Sequence, residues 1–447
     1  MHSEWPRCLL EDLAASQPGA IAIGPFGSRL KTDAYTSQGV ALIRGTNLSE
    51  SKFLTGDFAY VSEQTARGLG NANVSEYDLV FPHRGNIGAV GIVPGGPQKY
   101  ALSTSLMKVT LDRDRADPLF LYYFFRSTQG QVELMRNASQ VGTPGIARPL
   151  TSLRACVVPR PPLQEQRAIA RLLSLLDDRI DLLRQTNASL ESIAQAIFKS
   201  WFIDFDPVRA KAEGREPDGM DAATAALFPA EFEESELGLI PKGWRAVPFT
   251  DTVQVLGGGT PKTTVSDYWG GETPWFSVVD APSPGQVFTF STEKTVTAAG
   301  LQNSSTRLLP AWTTIISARG TVGKLAMAGC PMAMNQSCYG LTPKLDGTEH
   351  LVYLSAQRLV VDLKRLAHGG VFDTITRQTL SSVTTVQATA AVALAFAELT
   401  RPFFEQIGIG VSRIATLVAL RDSLLPRLIS GTLRLPSVLE QLEGAIA

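Results

Sequence analysis

Two short loops in the sequence combine an arginine with two glycines in the order R-G-x-x-G. They are residues 84–88 (RGNIG) and residues 319–323 (RGTVG). Glycine lets the backbone approach a ligand closely, while the planar guanidinium of arginine carries donors that match phosphates and base edges. Such a loop can clamp a phosphate or read the edge of a guanine base. A single loop of this kind is also typical of an ordinary surface turn, so the repetition is the informative feature.

Each loop lies in a stretch of sequence that carries cations and no carboxylate. The formal net charge of the chain is −1, which gives no general attraction to nucleic acid or membrane. Any anion-binding surface must therefore come from local clustering. The cations of the two stretches are Arg84, Lys99 and Lys108 in residues 79–111, and Arg307, Arg319, Lys324 and Lys344 in residues 303–345.

Catalytic motifs are missing from the sequence. The histidines are His2, His83, His350 and His368, and none has the spacing of an HExxH or HxH metal motif. Residues 320–324 do not fit the phosphate-loop pattern GxxxxGK[ST], and residues 257–259 do not fit GxGxxG. Neither the NPP[YF] or DPPY tetrapeptide of amino-methyltransferases nor a G-x-S-x-G motif occurs. We therefore predict no catalytic residue and no metal site.

The cysteine pattern and the N-terminus bear on the compartment. Cys8, Cys156, Cys330 and Cys338 form no CxxC pair, which favours reduced thiols in an intracellular protein. Residues 1–13 lack the apolar core of a signal peptide, and no uninterrupted apolar run reaches membrane-spanning length. We expect a soluble cytoplasmic protein that does not associate with a membrane.

The loops must be positioned by larger elements, and the clearest of these is the stretch 161–205. One heptad register fits it throughout. Spacing of three and four residues over this length predicts a long helix, roughly 50 Å at about 1.5 Å per residue, that buries one seam against a partner. The polar core residue Asn187 is expected to fix the register and the partner at some cost in stability. The two series of core positions are Ile169, Leu176, Leu183, Leu190 and Ile197, and Leu173, Ile180, Asn187, Ala194 and Trp201.

A second helix with the same spacing follows near the end of the chain. Pro402 and Pro426 are expected to break or kink it. Two apolar seams of similar length can be buried against each other. We therefore predict an antiparallel coiled coil, with ordinary bundle packing as the alternative. The core positions of the second seam are Phe403, Ile407, Gly410, Ile414, Leu417, Arg421, Leu424 and Leu428.

The remaining sequence repeats its order of features at an offset of about 230 to 240 residues, with Trp244 in the place of Trp5 and residues 257–262 in the place of 24–31. The predicted fold class is α+β, with two similar mixed α/β domains separated by two long helices that pack as an antiparallel coiled coil. The predicted segments are a first domain (1–160), a central helix (161–205), a linker with a short helix around 222–227 (206–241), a second domain (242–388), a distal helix (389–435) and a tail (436–447).

Both helices also carry a family resemblance. Residues 161–187 (PPLQEQRAIARLLSLLDDRIDLLRQTN) and 192–214 (SIAQAIFKSWFIDFDPVRAKAEG) resemble the conserved region of type I restriction-modification DNA specificity subunits. Residues 396–407 (FAELTRPFFEQI) and 420–435 (LRDSLLPRLISGTLRL) look like the distal conserved region of that family. The resemblance is specific in the helices and looser in the two domains.

The resemblance implies two target-recognition domains, each of which reads one half of a split sequence in double-stranded DNA. The paired helices would act as a ruler and as the docking surface for modification (methyltransferase) subunits, and a restriction/translocase subunit would complete the complex. It also implies that this chain is not itself an enzyme and binds no cofactor. S-adenosylmethionine, ATP and Mg would be bound by the partner subunits.

Within this resemblance, Arg84 and Arg319 are the best paired candidates for DNA contact. Lys31 and Lys262, beside the glycine-rich turns, come next. The other candidates are His83, Asn86, Lys324, Asn335 and Gln336. Two different functions stay open at this point: a two-domain scaffold that binds proteins rather than nucleic acid, and a self-contained methyltransferase or nuclease, which would need its own cofactor site.

Overall fold

The structure is a computed structural model that describes residues 5–25, 30, 32–49, 51–139, 144–366 and 374–435. The chain divides into two compact units. The first unit comprises Met1–Asp181 with Thr416–Ala447, and the second comprises Leu182–Ala415. This division cuts both long helices, so each unit contains one mixed domain and a part of each helix. The domain boundaries drawn from the sequence therefore stay a prediction.

The mixed domain of the first unit is built from short strands and short helices. Its helices are α1 (Glu63–Gly68), α2 (Pro118–Arg126), α3 (Thr128–Met135) and α4 (Pro149–Arg154). Its strands are β1 (Arg7–Leu9), β2 (Ile21–Ile23), β3 (Tyr35–Thr36), β4 (Val40–Ile43), β5 (Ala59–Val61), β6 (Asn73–Val74), β7 (Leu79–Pro82), β8 (Gly91–Ile92), β9 (Tyr100–Leu102), β10 (Leu106–Val109), β11 (Ala138–Ser139), β12 (Gly145–Ile146) and β13 (Val157–Pro159).

These strands form two main sheets, a short antiparallel pair of β11 and β12, and a two-stranded ribbon. One sheet has the order β2-β10-β7-β8 and is antiparallel. The other has the order β3-β5-β4-β9-β6, in which β4 and β9 run parallel. The ribbon joins β1 to β13, so the start of the domain pairs with the strand that precedes the long helix. The core lies between the first sheet and α2, whose aromatic residues 120 and 122–125 are buried.

The central helix α5 (Leu163–Lys199) continues as a π-helical turn, Ser200–Asp204. Gln166 anchors its first turn by donating from Nε2 to the carbonyl of Pro161 at 2.9 Å. Its end is marked by Phe205, whose φ of 56° is left-handed. The helix expected from the heptad pattern is thus present.

The second unit has its own set of elements, followed by the distal helix α12 (Ala390–Ser430). Its other helices are α6 (Asp206–Ala212), α7 (Ala222–Ala226), α8 (Phe249–Thr252), α9 (Ala298–Gln302), α10 (Glu349–Leu366) and α11 (Arg377–Ser381). Its strands are β14 (Phe232–Ser235), β15 (Gly238–Pro241), β16 (Arg245–Pro248), β17 (Val253–Gly257), β18 (Trp269–Phe276), β19 (Phe288–Thr289), β20 (Thr295–Val296), β21 (Thr314–Ser317), β22 (Leu325–Ala328), β23 (Ala333–Met334), β24 (Cys338–Pro343) and β25 (Thr384–Gln387).

The second mixed domain repeats the topology of the first. Its main sheet has the order β17-β24-β21-β22-β19, which matches β2-β10-β7-β8 with one added strand. Its smaller sheet, β20-β18-β23, contains one parallel pair, as β4 and β9 do in the first domain. The ribbon of β16 and β25 matches that of β1 and β13. The prediction of two similar domains is therefore confirmed.

The segment expected as a linker, residues 206–241, is largely structured. It contains α6, the predicted short helix as α7, and a hairpin of β14 and β15. Val208 and Phe228 are buried in the core that also holds Trp201 and Trp244. Aromatic anchors, rather than a flexible tether, therefore join the end of α5 to the second domain.

The two long helices pack antiparallel in each unit. In the first unit, Ile169 and Leu173 of α5 share a core with Leu425 and Leu428 of α12. In the second unit, Nδ2 of Asn187 donates to the carbonyl of Ile407 at 3.5 Å, and Trp201 packs edge-to-face on Phe396. Within the second unit, higher numbers on α5 thus meet lower numbers on α12, which confirms the predicted antiparallel pairing.

Two details of α12 differ from expectation. The helix runs unbroken through Pro402 and Pro426, so a break at these residues is wrong, while the alternative of a kink stays a prediction. A proline removes one helical hydrogen bond, and packing against α5 holds the helix together across that gap. By length and composition α12 could also cross a membrane, since a window of eighteen residues has a mean hydropathy of 1.4. One such helix is weak support for a membrane segment, and this one packs on α5 in both units.

Candidate nucleic-acid interface

Three chain segments meet at one end of the main sheet in each unit. In the second unit the glycine-rich turn follows β17, the R-G-x-x-G loop follows β21, and residues 335–337 precede β24. Because β24 runs antiparallel to both β17 and β21, these segments lie at the same sheet end. In the first unit, Gly24 directly after β2, the loop after β7 and residues 103–105 before β10 lie together in the same way.

One glycine in each copy allows this convergence. A Cβ atom on Gly258 would lie 1.9 Å from the carbonyl oxygen of Asn335, and one on Gly24 would lie 1.8 Å from that of Ser103. No side chain fits at either distance, so both positions need glycine for backbone packing. Gly24 and Gly258 therefore allow the close backbone packing at this sheet end.

The R-G-x-x-G loops depend on two further glycines each. Gly85 and Gly88 have φ of 83° and 97°, and Gly320 and Gly323 have φ of 76° and 82°. These values lie in the left-handed region that favours glycine. The same spacing thus produces the same tight turn in both copies.

Backbone hydrogen bonds hold the arginine of each loop in place. In the second unit, the amide of Ala318 donates to Ser337 at 2.7 Å, and the amide of Ile375 donates to Ala318 at 2.8 Å. Arg319 then forms an isolated β-bridge with Thr374. In the first unit, Arg84 forms the matching bridge with Gly145. Each arginine therefore projects from a backbone that is fixed on both sides.

The cations at these sites are exposed, and no counter-charge for them is found in the described part of the chain. Within the residues that the structure describes, no carboxylate lies within ion-pair distance of Arg84, Arg319, Lys262 or Lys324, and all four are exposed. Cations without an internal partner are available to an external anion such as a phosphate. The two sequence-predicted arginines thus occupy equivalent positions, and Lys324 directly follows the loop of Arg319.

Other cations of the acid-free stretches serve different roles. Lys108 is buried and bonds to Asp78 at 2.7 Å, and Lys99 bonds to Glu63 at 2.8 Å. Both carboxylates come from outside residues 79–111. A stretch without acidic residues in the sequence can therefore still have carboxylates beside it in the folded protein. Lys344 follows the opposite end of β24, away from the loop. The first acid-free stretch therefore contributes only Arg84.

His83, which the sequence predicts as a DNA contact, forms a hydrogen bond within the domain. Its side chain is buried, and Nε2 lies 3.2 Å from the carbonyl of Thr104, to which it donates. Burial lowers the pKa of His83, with a smaller effect from the adjacent Arg84. The ring of His83 thus supports the backbone near the loop, and its role as a DNA contact stays a prediction.

The polar candidates are partly engaged. Oδ1 of Asn335 accepts from the amide of Ser337 at 3.0 Å, which fixes the turn before β24. Gln336 is exposed, and its Oε1 accepts from the hydroxyl of Thr260. Asn86 is exposed on the first loop. Lys31 lies outside the described residues.

Two tryptophans that sequence reasoning missed support the second glycine-rich turn. Nε1 of Trp275 donates to the carbonyl of Gly259 at 3.0 Å, and Nε1 of Trp269 donates to that of Lys262 at 3.3 Å. Their rings meet edge-to-face at 5.0 Å. The available signal was the pair of tryptophans shortly after a glycine-rich turn, since the N–H of a buried indole such as that of Trp275 needs an acceptor.

The described parts of the chain offer no metal centre. Within them, no group of three or more histidine, cysteine, aspartate or glutamate residues is arranged to hold a metal ion. Cys8, Cys156, Cys330 and Cys338 are free thiols. In its described part, the interface consists of cations, amides and backbone turns that contain glycine.

The comparisons with known proteins agree on one family. The model of the type I restriction modification DNA specificity domain matches residues 27–192 and 241–384, together more than half of the chain. The chain is 26% identical to the type I restriction enzyme HindI specificity subunit of Haemophilus influenzae, over 96% of this chain and 99% of that protein. It is 32% identical to the MjaIX specificity subunit of Methanocaldococcus jannaschii over 35% of this chain and 37% of that protein.

A solved structure shows the same fold. The crystal structure of the type I restriction-modification S subunit from M. genitalium matches with a TM-score of 0.60 at 14% identity, covering 95% of this chain and 96% of that one. The family match falls once on each mixed domain, as the internal repeat requires. The chain belongs to the family of type I restriction-modification DNA specificity subunits.

Proposed function

We propose that each unit reads one half of a split duplex sequence through its loop site. The observation that carries the proposal is the equivalence of the two sites: Arg84 and Arg319 stand on the same glycine turn, at the same sheet end. Among the described residues neither arginine has a carboxylate partner. Binding to the DNA backbone needs such available cations, and base reading needs donors in a fixed geometry.

The residues of each site divide by chemistry. An arginine on a rigid turn suits the O6 and N7 atoms of guanine, and an exposed amide such as Gln336 suits the N6 and N7 atoms of adenine. Lys262 and Lys324 are point charges that suit phosphates. We assign base reading to Arg84 and Arg319, and backbone contacts to the two lysines.

We further propose that modification (methyltransferase) subunits dock on the two long helices and that a restriction/translocase subunit joins them. The support is a set of leucines and isoleucines that are each more than 40% exposed: Leu175, Leu182 and Ile193 of α5, and Leu394, Leu399, Ile409 and Leu420 of α12. Exposed apolar side chains at this density are typical of an interaction surface. Such a complex would work in the cytoplasm.

We propose that this chain is not catalytic and that S-adenosylmethionine, ATP and Mg are bound by the partner subunits. The support is the sequence, which has no motif for a transferred methyl group, a nucleotide phosphate or a catalytic metal. Calorimetric titration of the purified chain with S-adenosylmethionine should give no heat of binding. Stoichiometric binding would favour a self-contained methyltransferase instead.

Substitution of the two arginines tests the proposal. The chain, purified with its methyltransferase partner, would select sequences from a randomised duplex library. Arg84→Ala should relax one half of the selected sequence and Arg319→Ala the other, each at a cost of roughly 1–3 kcal/mol at the affected base. Matched controls are Lys99→Ala and Arg365→Ala, since these exposed cations are paired with Glu63 and Asp362.

The outcomes separate three explanations. Relaxation confined to one half supports base reading by that arginine. A uniform loss of affinity across sequences would make the arginine a phosphate contact. Binding that is insensitive to added salt would favour a protein-binding scaffold, because phosphate contacts weaken steeply with salt.

A further inference from the structure

In each unit a tyrosine of the mixed domain donates a hydrogen bond to a carboxylate of the long helix α5. In the first unit, Oη of Tyr123 on α2 donates to Oδ2 of Asp177 at 2.7 Å. In the second unit, Oη of Tyr353 on α10 donates to Oε1 of Glu191 at 3.3 Å. All four residues are buried. The two copies therefore share a buried tyrosine–carboxylate hydrogen bond that joins the domain to the helix.

In the first unit, two charged contacts lie beside this tyrosine–carboxylate hydrogen bond. The other oxygen of Asp177 accepts from Nη1 of Arg421 on α12 at 2.8 Å, so one carboxylate joins α2, α5 and α12. The next residue, Asp178, bonds to Nζ of Lys52 at 2.5 Å. Lys52 belongs to a different part of the domain from Tyr123. Two separate segments of the domain thus hold two neighbouring carboxylates of the helix.

The second unit surrounds its carboxylate with neutral donors. Nε2 of Gln357 on α10 donates to Oε1 of Glu191 at 2.8 Å, and Nε2 of Gln195 on α5 donates to it at 3.2 Å. Glu191 therefore receives a tyrosine and a glutamine from the same face of α10. Its charge is satisfied by three donors rather than by a cation.

Burial keeps both tyrosines as donors. Burial, followed by the charge of the adjacent carboxylate, raises the pKa of Tyr123 and that of Tyr353 well above the usual value for tyrosine. Both hydroxyls therefore keep their protons at physiological pH. Each hydroxyl is therefore the donor, and the direction of each bond is fixed.

Such bonds contribute more to geometry than to stability. Burying a carboxylate costs desolvation free energy that its partners largely offset, and apolar side chains of similar volume would pack at least as well. Apolar contacts, however, tolerate rotation and sliding, whereas a hydrogen bond requires a narrow range of distance and angle. A buried polar contact between two bodies therefore specifies their relative orientation.

We propose that Tyr123 and Tyr353 are positioning residues that orient each recognition domain on the long helices and thereby set the gap between the two halves of the DNA sequence. This inference rests on the proposed function. The tyrosines touch no DNA. They determine where their domain presents its arginine loop, so they act on the spacing of the half-sites and not on the bases read.

The test separates gap length from base identity. The chain with its methyltransferase partner would select from a randomised duplex library, as the parent, as Tyr123→Phe, as Tyr353→Phe and as the double variant. Phenylalanine removes only the hydroxyl and leaves Asp177 with Arg421, and Glu191 with its glutamines. We expect the same bases in both halves, and discrimination against gaps one base pair longer or shorter to fall by about two- to tenfold per variant, the effect of one lost hydrogen bond.

Tyr122→Phe is the matched control. Tyr122 is the neighbouring buried tyrosine of α2, and its hydroxyl accepts from Arg126 of the same helix at 2.7 Å. It should leave the gap unchanged. A thermal melt of each variant confirms that it is folded.

Three results would count against these ideas. A parent that selects no split sequence overturns the proposed function, and the inference with it. A parent that selects a split sequence, with the double variant keeping the same sharp gap, overturns the inference alone. Relaxation of the bases themselves in Tyr123→Phe, or gap broadening in Tyr122→Phe as well, would mean a general loosening of the domain and would also overturn it.

Discussion

Replacing Gly410 by alanine should destabilise the second unit, although alanine is the better helix former. A Cβ atom on Gly410 would lie 2.2 Å from Oδ1 and 2.9 Å from Nδ2 of Asn187, whose side chain is buried. Overpacking of this kind costs about 1–3 kcal/mol, and displacing the buried amide costs about 1 kcal/mol more. The helix propensity of alanine is more favourable than that of glycine by about 1 kcal/mol, which offsets part of this cost. The net loss is therefore about 1–3 kcal/mol.

Gly408 provides the matched control on the same helix. A Cβ atom there would lie 3.7 Å from the ring of Phe288, which is ordinary contact. Gly408→Ala should therefore stabilise the protein by about 0.5–1 kcal/mol. The two substitutions are chemically identical and are predicted to have opposite signs.

Thermal unfolding of the three proteins, followed by fluorescence, gives their order of stability. The predicted order is Gly408→Ala above the parent and Gly410→Ala below it. Adding Asn187→Ala to Gly410→Ala should recover part of the loss, because the clash then disappears. If Gly410→Ala melted at or above Gly408→Ala, the fit of Asn187 against α12 would be refuted.

Two further predictions concern pH and the loop site. Burial lowers the pKa of His350 to about 4, so the unfolded chain binds a proton between about pH 6.5 and pH 4 that the folded chain does not. Stability should fall as the pH is lowered through this window, by up to about 3 kcal/mol, and denaturant titrations of His350→Gln should show a flatter profile. Gly258→Ala should displace the carbonyl of Asn335 and weaken DNA binding in a band-shift assay, whereas Gly257→Ala, with open space around its Cβ position, should not. Equal effects of the two glycine substitutions would contradict the role of the close approach.

The sequence predicted the parts of the fold that periodicity and repetition encode. A heptad pattern predicts which side chains of a helix are buried. Leu173, Ile180 and Asn187 are all buried in α5, as expected. The R-G-x-x-G spacing indicates a tight turn, because its glycines adopt the left-handed backbone conformation that other residues rarely adopt. Both signals are local, so a single sequence carries them.

Features that depend on distant partners were not predictable. The carboxylates of Asp78 and Glu63 lie outside the acid-free stretch, yet they neutralise Lys108 and Lys99. Nothing near Tyr123 in the sequence indicates that it reaches α5. Side-chain pairing across the fold thus decides which cations remain available and which polar residues position a domain.

Selection from a randomised duplex library by the chain with its methyltransferase partner tests the central claim most directly. Two similar domains with equivalent arginine loops predict enrichment of a two-part sequence with unspecified bases between its halves. Enrichment of one continuous sequence, or of none, would contradict the account.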